Sequence, residues 1–177
     1  MSTVKLKDKS FKIFINNEEI QKAIVVLADK MNVDLKGKQP LLLGVLNGAF
    51  MFASDLMKNL DNGCEISFVK FSSYSGTSST GKVNTLIGFN ESIKGRVVVI
   101  LEDIVDTGIT LENLVNLISE HEPAEVKIAT LLFKPSAYTK NIKLDYVGME
   151  IPNDFIVGYG LDYDGLGRNL KDIYKIV

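Results

Sequence analysis

One stretch of the chain constrains the fold most, because a buried-strand pattern runs directly into acidic and small residues. Val97–Leu101 is a continuous run of valine, isoleucine and leucine, which is typical of a strand covered on both faces of a parallel sheet. Glu102 and Asp103 follow at once, a third carboxylate, Asp106, lies in the predicted loop, and Thr107–Thr110 leads into a predicted helix. The stretch therefore predicts a strand–loop–helix unit with acidic side chains at the carboxyl end of a sheet.

The loop after this strand has the composition of an anion site. Small residues at the start of a helix leave backbone N–H groups free to cradle a phosphate, with the helix dipole behind them. The residues concerned are Thr107, Gly108, Ile109 and Thr110. We interpret Glu102 and Asp103 as facing the same space, where they would hold ribose hydroxyls or a divalent cation. The ordinary alternative is that Asp106 or Thr107 is only an N-cap and that the acidic pair is a solvated strand end.

The rest of the chain alternates strand-like and helix-like segments, which predicts an α/β fold with a mostly parallel, twisted sheet flanked by helices. The predicted strands and extended segments are Phe11–Ile15, Leu41–Leu46, Ile66–Phe71, Val83–Phe89, Val97–Leu101 and Val126–Phe133. The predicted helices begin at Asn16 or Asn17, after Ala49 (ending near Leu60), and at Leu111 (ending at Ser119). We expect residues 1–177 to form a single domain, in which the N-terminal strand and the chain from about Asp145 build a small hood beside the main sheet.

Composition excludes several classes of protein. No apolar run reaches the 18 or more residues of a membrane span, and the lysine-rich start, Met1–Ser10, lacks the apolar core of a signal peptide. A net charge of −2 without a basic block argues against a nucleic-acid partner. The chain has one cysteine, Cys64, and one histidine, His121, so a disulfide framework, a histidine metal site and a Ser-His-Asp triad are all disfavoured. These features indicate a cytoplasmic protein.

The string that begins at Glu102 and reads Glu-Asp-Ile-Val-Asp-Thr-Gly closely resembles the phosphoribosyl-pyrophosphate motif of the type I phosphoribosyltransferases. Its acidic pair is similar to that of the 6-oxopurine branch, which uses hypoxanthine or guanine. The resemblance extends from about Ile13 to the C-terminus. It implies the fold of that family and transfer of a phosphoribosyl group to the base, giving IMP or GMP and pyrophosphate. It also implies Mg²⁺ as cofactor and assembly as a homodimer or homotetramer.

The resemblance assigns roles to residues around the purine. Asp106 would be the catalytic base, acting at purine N7. Lys134, which alone would read as a solvated charge after a strand, would donate to the purine O6. Phe155 would stack on the base, the Ile156 carbonyl would accept from N1–H, and Asp162 would lie near the base edge and a second metal.

The same resemblance implies a pyrophosphate site formed by Asn47, Gly48 and Arg168, and a lid that begins at Ser73 and Tyr74. The metal ligands it implies are Glu102, Asp103 and Asp162. The chain departs from the family at Asn47, where lysine is frequent, so a direct charge contact from this position is not expected.

Two other functions compete with this interpretation. Gly76–Lys82 matches the first part of a P-loop, but Val83 lacks the hydroxyl that would hold Mg²⁺ and the segment after it is strand-like rather than helical. An RNA-binding regulator on the same fold would need a basic face, which the net charge of −2 argues against, and would not need the predicted base-binding segment Phe155–Asp162.

Overall fold

The computed structural model describes residues 3–61, 63–72, 84–87 and 92–177. In chain order, the strands are β1 Thr3–Leu6, β2 Lys9–Ile15, β3 Leu41–Leu46, β4 Glu65–Ser72, β5 Asn84–Ile87, β6 Val97–Val105, β7 Glu125–Phe133, β8 Tyr146–Glu150, β9 Ile156–Val157 and β10 Ile173–Ile176. The helices are α1 Asn17–Asp34, α2 Phe50–Met57 and α3 Ile109–Ser119. No helix of these described ranges is long and apolar enough to cross a membrane.

The main sheet has the order β5-β4-β3-β6-β7-β8. Neighbouring strands from β4 to β8 run parallel, and only β5 pairs antiparallel, at one edge. The predicted α/β class with a mostly parallel sheet is therefore confirmed. In such a sheet the carboxyl ends of neighbouring strands meet along one edge, where ligands bind in the crevice beyond them.

Helix α1 shows why the sequence forms this fold locally. Asn16 caps it: its side chain accepts from the Glu19 N–H at 3.0 Å, and the Glu19 carboxylate accepts from the Asn16 N–H at 2.9 Å, which completes a capping box. Residues at helical spacing on one face are buried in the core, where the helix packs beside β8 and α2. They are Ile20, Ile24, Leu27 and Met31, with Ala28 between them.

A second, antiparallel sheet has the order β1-β2-β10-β9, so both ends of the chain contribute to it. We expected the small hood to take up the chain from about Asp145, and this boundary was wrong. Strand β8 pairs in parallel with β7, with Tyr146 opposite Ala129, and Tyr146 is buried in the main core. The tail therefore joins the small sheet only at β9, after β8 has completed the main one.

Candidate active site

Strand β6 is longer than its apolar run predicts, and this changes the geometry of the acidic pair. The strand continues to Val105, so Glu102 and Asp103 are residues of the strand, both buried, rather than a solvated strand end. Consecutive strand residues point to opposite faces of a sheet. The expectation that the two carboxylates face the same space was therefore wrong: Glu102 lines a cavity beside α3, and Asp103 lines one on the α2 side.

The first cavity, here called the loop cavity, has a volume of about 100 Å³. It is lined by Glu102 and by every residue from Ile104 to Leu111. Helix α3 begins at this cavity. Its N-cap is Gly108, which has no side chain to accept a hydrogen bond from the N–H groups of the first turn. The Ile109 N–H donates to the Thr107 hydroxyl at 3.5 Å, and the helix dipole with the following N–H groups favours an anion in the cavity.

A neighbouring segment holds the loop in place. The Thr107 carbonyl accepts from both the N–H and the hydroxyl of Thr139, at 3.2 and 3.1 Å. Gly108 has φ +84°, and a Cβ there would lie 2.5 Å from the ring of Tyr138. Both the backbone conformation and the space therefore require glycine at this position.

The second cavity, here called the tail cavity, lies between the carboxyl edge of the sheet and the C-terminal part of the chain and has a volume of about 270 Å³. Its lining combines carboxylates, cations and an aromatic ring: Gly48, Asp103, Ile104, Asp106, Lys134, Phe155, Ile156, Leu161, Asp162 and Arg168. Gly48 approaches Asp103 so closely that a Cβ on it would lie 1.8 Å from the Asp103 carboxylate. Any larger residue at position 48 would displace that carboxylate.

Asp106 lies where the two cavities meet, since it lines both of them. Its carboxylate is 3.1 Å from the Lys134 ammonium. The Lys134 side chain is only 8% exposed, whereas that of Asp106 is 44% exposed. A buried ammonium needs a polar partner, so Asp106 is the group that satisfies Lys134 until a ligand accepts from it.

The far wall of the tail cavity comes from the tail itself. Phe155 is 45% exposed, and its ring packs against Phe11 and Tyr163 with centroids 6.3 and 5.9 Å away. Asp162 forms an ion pair with Arg168 at 2.5 Å. The wall therefore offers a supported aromatic surface to a flat ligand and, beside it, a charged pair.

Burial changes the acid–base behaviour of the strand carboxylates. It raises the pKa of Glu102 well above the usual range, and the Asp103 carboxylate raises it further. Burial also raises the pKa of Asp103 to about 6, although the hydrogen bond from the Ile104 N–H lowers it in part. Neighbouring protein groups therefore balance the negative charges of Glu102 and Asp103 only in part. Carboxylate oxygens in such a setting suit a hard divalent cation.

The predicted metal ligands do not form one cluster. Among the residues that the structure describes, no group of three or more His, Cys, Asp or Glu is close enough to hold a metal ion. Asp162 is engaged by Arg168 and by the Gly165 N–H at 2.7 Å, and Glu102 and Asp103 lie on opposite faces. Any cation at this site would therefore take part of its coordination from a ligand.

Three further predictions concern Asn47, the start of the lid and the P-loop-like segment. Asn47 is exposed and is not part of the lining of either cavity. Ser73 and Tyr74, the predicted start of a lid, and the P-loop-like segment Gly76–Lys82 lie outside the described residues. Strand β5 follows that segment, whereas a P-loop opens a helix.

Sequence reasoning assigned no individual role to several residues that shape the site, although Gly160 and Leu161 lie inside the predicted base-binding segment Phe155–Asp162. Leu161 lines the tail cavity, and a Cβ on Gly160 would lie 2.1 Å from the Gly48 carbonyl oxygen, so these two backbones touch. Tyr138 covers Gly108 from a distant part of the chain. The only signal in the sequence was the Gly-Tyr-Gly string at positions 158–160, which indicates unusual backbone conformations.

Comparison with known proteins agrees with this geometry. The model of the phosphoribosyl transferase domain matches residues 12–164, most of the chain. The chain belongs to the phosphoribosyltransferase family. The matched region contains the loop cavity and the tail-cavity residues up to Asp162.

Individual phosphoribosyltransferases are similar over nearly their whole length. The hypoxanthine-guanine phosphoribosyltransferase of Streptococcus pneumoniae is 44% identical over 163 residues, which are 92% of this chain and 91% of that protein. A crystal structure of a hypoxanthine phosphoribosyltransferase from Staphylococcus aureus has a TM-score of 0.88 at 39% identity, over 94% of this chain and 91% of that one. A hypoxanthine phosphoribosyltransferase from Trypanosoma cruzi, determined as a ternary substrates complex, has a TM-score of 0.88 at 38% identity, over 94% and 95%. The chain is thus a phosphoribosyltransferase similar to the hypoxanthine-guanine branch.

Proposed function

We propose that this phosphoribosyltransferase acts in purine salvage, transferring the 5-phosphoribosyl group of phosphoribosyl pyrophosphate to hypoxanthine and guanine. The products are IMP or GMP and pyrophosphate. One observation carries the proposal: an anion-binding loop cavity and a tail cavity with an aromatic wall share Asp106 and Ile104. A sugar phosphate in the first would reach a flat base in the second.

The loop cavity takes the phosphoribosyl group. Backbone N–H groups and hydroxyls of Thr107, Gly108, Ile109 and Thr110 bind the 5′-phosphate at the start of α3. Glu102 and Asp103, on opposite faces of β6, orient the ribose hydroxyls from two sides rather than from one.

The tail cavity takes the base. Phe155 stacks on the purine, Lys134 donates to O6, and the Ile156 carbonyl accepts from N1–H. Asp162 lies at the edge of the base. Lys134 donates to Asp106 in the structure, so binding of the base replaces this contact and releases the Asp106 carboxylate.

The leaving group lies against Gly48 and Arg168, both of which line the tail cavity. Backbone N–H groups of the turn at Gly48 and the Arg168 guanidinium stabilise the charge that develops on pyrophosphate. Asn47 belongs to the same turn and contributes through its backbone.

The residues fit divalent cations, and we propose Mg²⁺ at two places: Glu102 would supply carboxylate oxygen in the loop cavity, and Asp103 and Asp162 would supply it in the tail cavity, each ion completed by oxygens of the substrate. When bound, Mg²⁺ would add positive charge to that of Arg168 beside the pyrophosphate.

The reaction breaks the bond from ribose C1′ to pyrophosphate oxygen and forms a bond from C1′ to purine N9. The purine loses one proton, and Asp106 takes it at N7 as general base.

Turnover of purified protein tests this function directly. With Mg²⁺, phosphoribosyl pyrophosphate and hypoxanthine, IMP and pyrophosphate should form in equal amounts, and guanine should give GMP. A thermal-shift series with phosphoribosyl pyrophosphate, GMP, UMP and ATP tests the alternatives: stabilisation by GMP is expected, whereas stabilisation by UMP or ATP alone would favour the regulator or the P-loop interpretation. Absence of any turnover of a 6-oxopurine would contradict the proposal.

We further propose a homodimer or homotetramer in the cytoplasm that binds neither membranes nor nucleic acid. The single cysteine, Cys64, is a free thiol that requires no oxidising compartment. Light scattering after gel filtration checks the assembly, and a monomer at micromolar concentration would contradict it.

A further inference from the structure

A buried tyrosine connects the tail to the helix layer directly behind the active site. Tyr159 is 1% exposed, and its hydroxyl donates to the Asp55 carboxylate of α2 at 2.6 Å. The same carboxylate oxygen accepts from Gln21 of α1 at 2.8 Å, and its other oxygen accepts from Lys58 at 2.8 Å. One carboxylate therefore holds both helices and the tail segment together.

The acid–base properties of this contact make it a stable one. Burial alone would raise the pKa of Asp55, but hydrogen bonds from Lys58, Tyr159 and Gln21 keep it below its usual value. Burial and the Asp55 carboxylate raise the pKa of Tyr159. At neutral pH the tyrosine is thus a donor and the aspartate a charged acceptor, which is a strong type of hydrogen bond.

The backbone around Tyr159 adopts a conformation that needs such an anchor. Gly158, Tyr159 and Gly160 have φ values of +100°, +50° and +97°. A tyrosine in the left-handed region is unfavourable by itself and persists only where its surroundings hold it. The Asp55 contact, together with the hydrogen bond from the Tyr159 N–H to the Leu170 carbonyl at 2.8 Å, provides this.

The anchored segment touches two residues of the tail cavity. Gly160 packs against the Gly48 carbonyl, where a Cβ would lie only 2.1 Å from the oxygen. Gly160 also exchanges two hydrogen bonds with Arg168: its N–H donates to the Arg168 carbonyl at 3.0 Å, and its carbonyl accepts from the guanidinium at 2.6 Å. Gly48 and Arg168 come from distant parts of the chain, and Gly160 is the residue that joins them.

We propose that Tyr159 and Asp55 are a positioning pair that sets the separation of Gly48 and Arg168 and, through them, the affinity for the pyrophosphate group of the substrate. The inference rests on the proposed function, since it assigns pyrophosphate to these two residues. Neither Tyr159 nor Asp55 lines the cavity, so the pair acts through Gly160. A 1 Å displacement of groups that position a substrate has large effects on its binding and reaction.

The chain contains a matched control for the loss of a buried tyrosine hydroxyl. Tyr146 is 2% exposed, and its hydroxyl donates to the Asp34 carboxylate of α1 at 3.1 Å. It lies on β8, at the opposite edge of the sheet from β5, and lines neither cavity. Tyr159→Phe and Tyr146→Phe therefore remove the same group from the same kind of pair, one beside the site and one away from it.

The test compares melting temperature, kcat and KM for these two variants. Both should melt at lower temperature than the wild type. Only Tyr159→Phe should raise the KM for phosphoribosyl pyrophosphate, by about three- to tenfold for one lost hydrogen bond, with the KM for hypoxanthine changed less than about twofold. Asp55→Asn, whose amide oxygen still accepts from Tyr159, should keep the KM for phosphoribosyl pyrophosphate close to that of the wild type.

Several outcomes would overturn the proposal. Tyr159→Phe with a lower melting temperature but an unchanged KM for phosphoribosyl pyrophosphate would show a purely structural tyrosine, and an equal rise of that KM in Tyr146→Phe would show a general loss of stability. If Tyr159→Phe does not fold, Gln21→Ala replaces it, because it removes one of the hydrogen bonds that hold Asp55. In Gln21→Ala the KM for phosphoribosyl pyrophosphate should again rise while the KM for hypoxanthine changes little. If it does not, the proposed positioning role of Tyr159 and Asp55 is wrong.

Purine turnover by the wild type distinguishes a failure of this proposal from a failure of the proposed function. If the wild type turns over no purine, the proposed function fails, and calorimetric titration of the wild type and both tyrosine variants with magnesium pyrophosphate tests the pair by itself. Weaker binding by Tyr159→Phe alone supports it. Equal binding by all three proteins, or none by any, contradicts it.

Discussion

The loop cavity and the tail cavity are built in opposite ways. The loop cavity is lined by residues from one continuous stretch of the chain, Glu102 to Leu111, which is the end of β6, a turn and the start of α3. The tail cavity takes its lining from five separate places: Gly48, the segment Asp103–Asp106, Lys134, the segment Phe155–Asp162, and Arg168. The difference teaches that a cavity at a strand–loop–helix turn can be a local structure, whereas a cavity lined from distant segments needs the packing of the whole domain.

The two cavities also differ in how their charges are balanced. At the loop cavity, burial and the neighbouring Asp103 carboxylate raise the pKa of Glu102. In the tail cavity each cation has an acidic partner, Asp106 for Lys134 and Asp162 for Arg168. Burial also raises the pKa of Asp103, which lines the tail cavity, so the difference lies in the two ion pairs, which a ligand of the tail cavity must open.

Substitution of Asp106, the residue shared by the two cavities, should have the largest effect. Asp106→Asn keeps an oxygen for Lys134 but cannot take a proton, so kcat should fall by about 10²- to 10⁴-fold. Equilibrium binding of IMP should persist, because both cavities keep their shape. Steady-state kinetics and nucleotide titration measure the two quantities, and a kcat near that of the wild type would remove Asp106 from the mechanism.

The second-largest expected effect is the discrimination between adenine and hypoxanthine, which tests the tail cavity alone. Lys134 can only donate and the Ile156 carbonyl can only accept, whereas adenine presents a donor at C6 and an acceptor at N1. Mismatched buried polar groups can reject an analogue by about 10⁴-fold, so with partial solvent access adenine should be at least about 10³-fold worse in kcat/KM.

The variant Lys134→Met sharpens this prediction. It should narrow the gap between the bases, chiefly by impairing the use of hypoxanthine, while the KM for phosphoribosyl pyrophosphate changes much less. Comparable kcat/KM for adenine and hypoxanthine in the wild type would show that the tail cavity does not read the base in this way.

A pair of glycine variants tests the loop cavity alone. Gly108 has φ +84° and would bring a Cβ to 2.5 Å from Tyr138, whereas Gly37 has φ +75° and open space around a Cβ. Gly37→Ala should destabilise the fold by about 1–2 kcal/mol, the cost of the left-handed conformation. Gly108→Ala should destabilise it more and raise the KM for phosphoribosyl pyrophosphate, on the order of tenfold for a misplaced phosphate loop.

Denaturant unfolding and steady-state kinetics provide the readouts for both glycines. Equal stability losses with unchanged KM values would mean that the contact of Gly108 with Tyr138 does not shape the loop cavity.

The smallest effect should come from Asn47, which is exposed and outside the lining of both cavities. Asn47→Lys adds a charge near the proposed pyrophosphate site, and exposed charge pairs contribute at most about 1 kcal/mol. The affinity for pyrophosphate should therefore change by no more than about fivefold, with kcat retained. Inactivity of this variant would reveal a specific role for the Asn47 side chain.

Much of the main sheet could be predicted because its signals are local. Strand β3 has the predicted bounds, Leu41–Leu46, and α1 begins at Asn17 after the Asn16 cap, where a helix start was predicted. Boundaries were less predictable where packing overrides residue type. β6 continues through Glu102 and Asp103 because its neighbour β7 remains paired with it as far as Phe133 opposite Val105, and no local pattern announces buried carboxylates in a strand.

The sequence by itself determined the strand–loop–helix unit, the glycine at its turn and the identity of the acidic residues, since all of these depend on neighbours within one short stretch. Only the tertiary structure decided that Glu102 and Asp103 face different cavities, that Asp106 meets Lys134, and that Gly160 joins Gly48 to Arg168. These contacts join residues that are far apart in the chain, and they form only when the parallel sheet brings its strand ends to one edge and the tail packs against them.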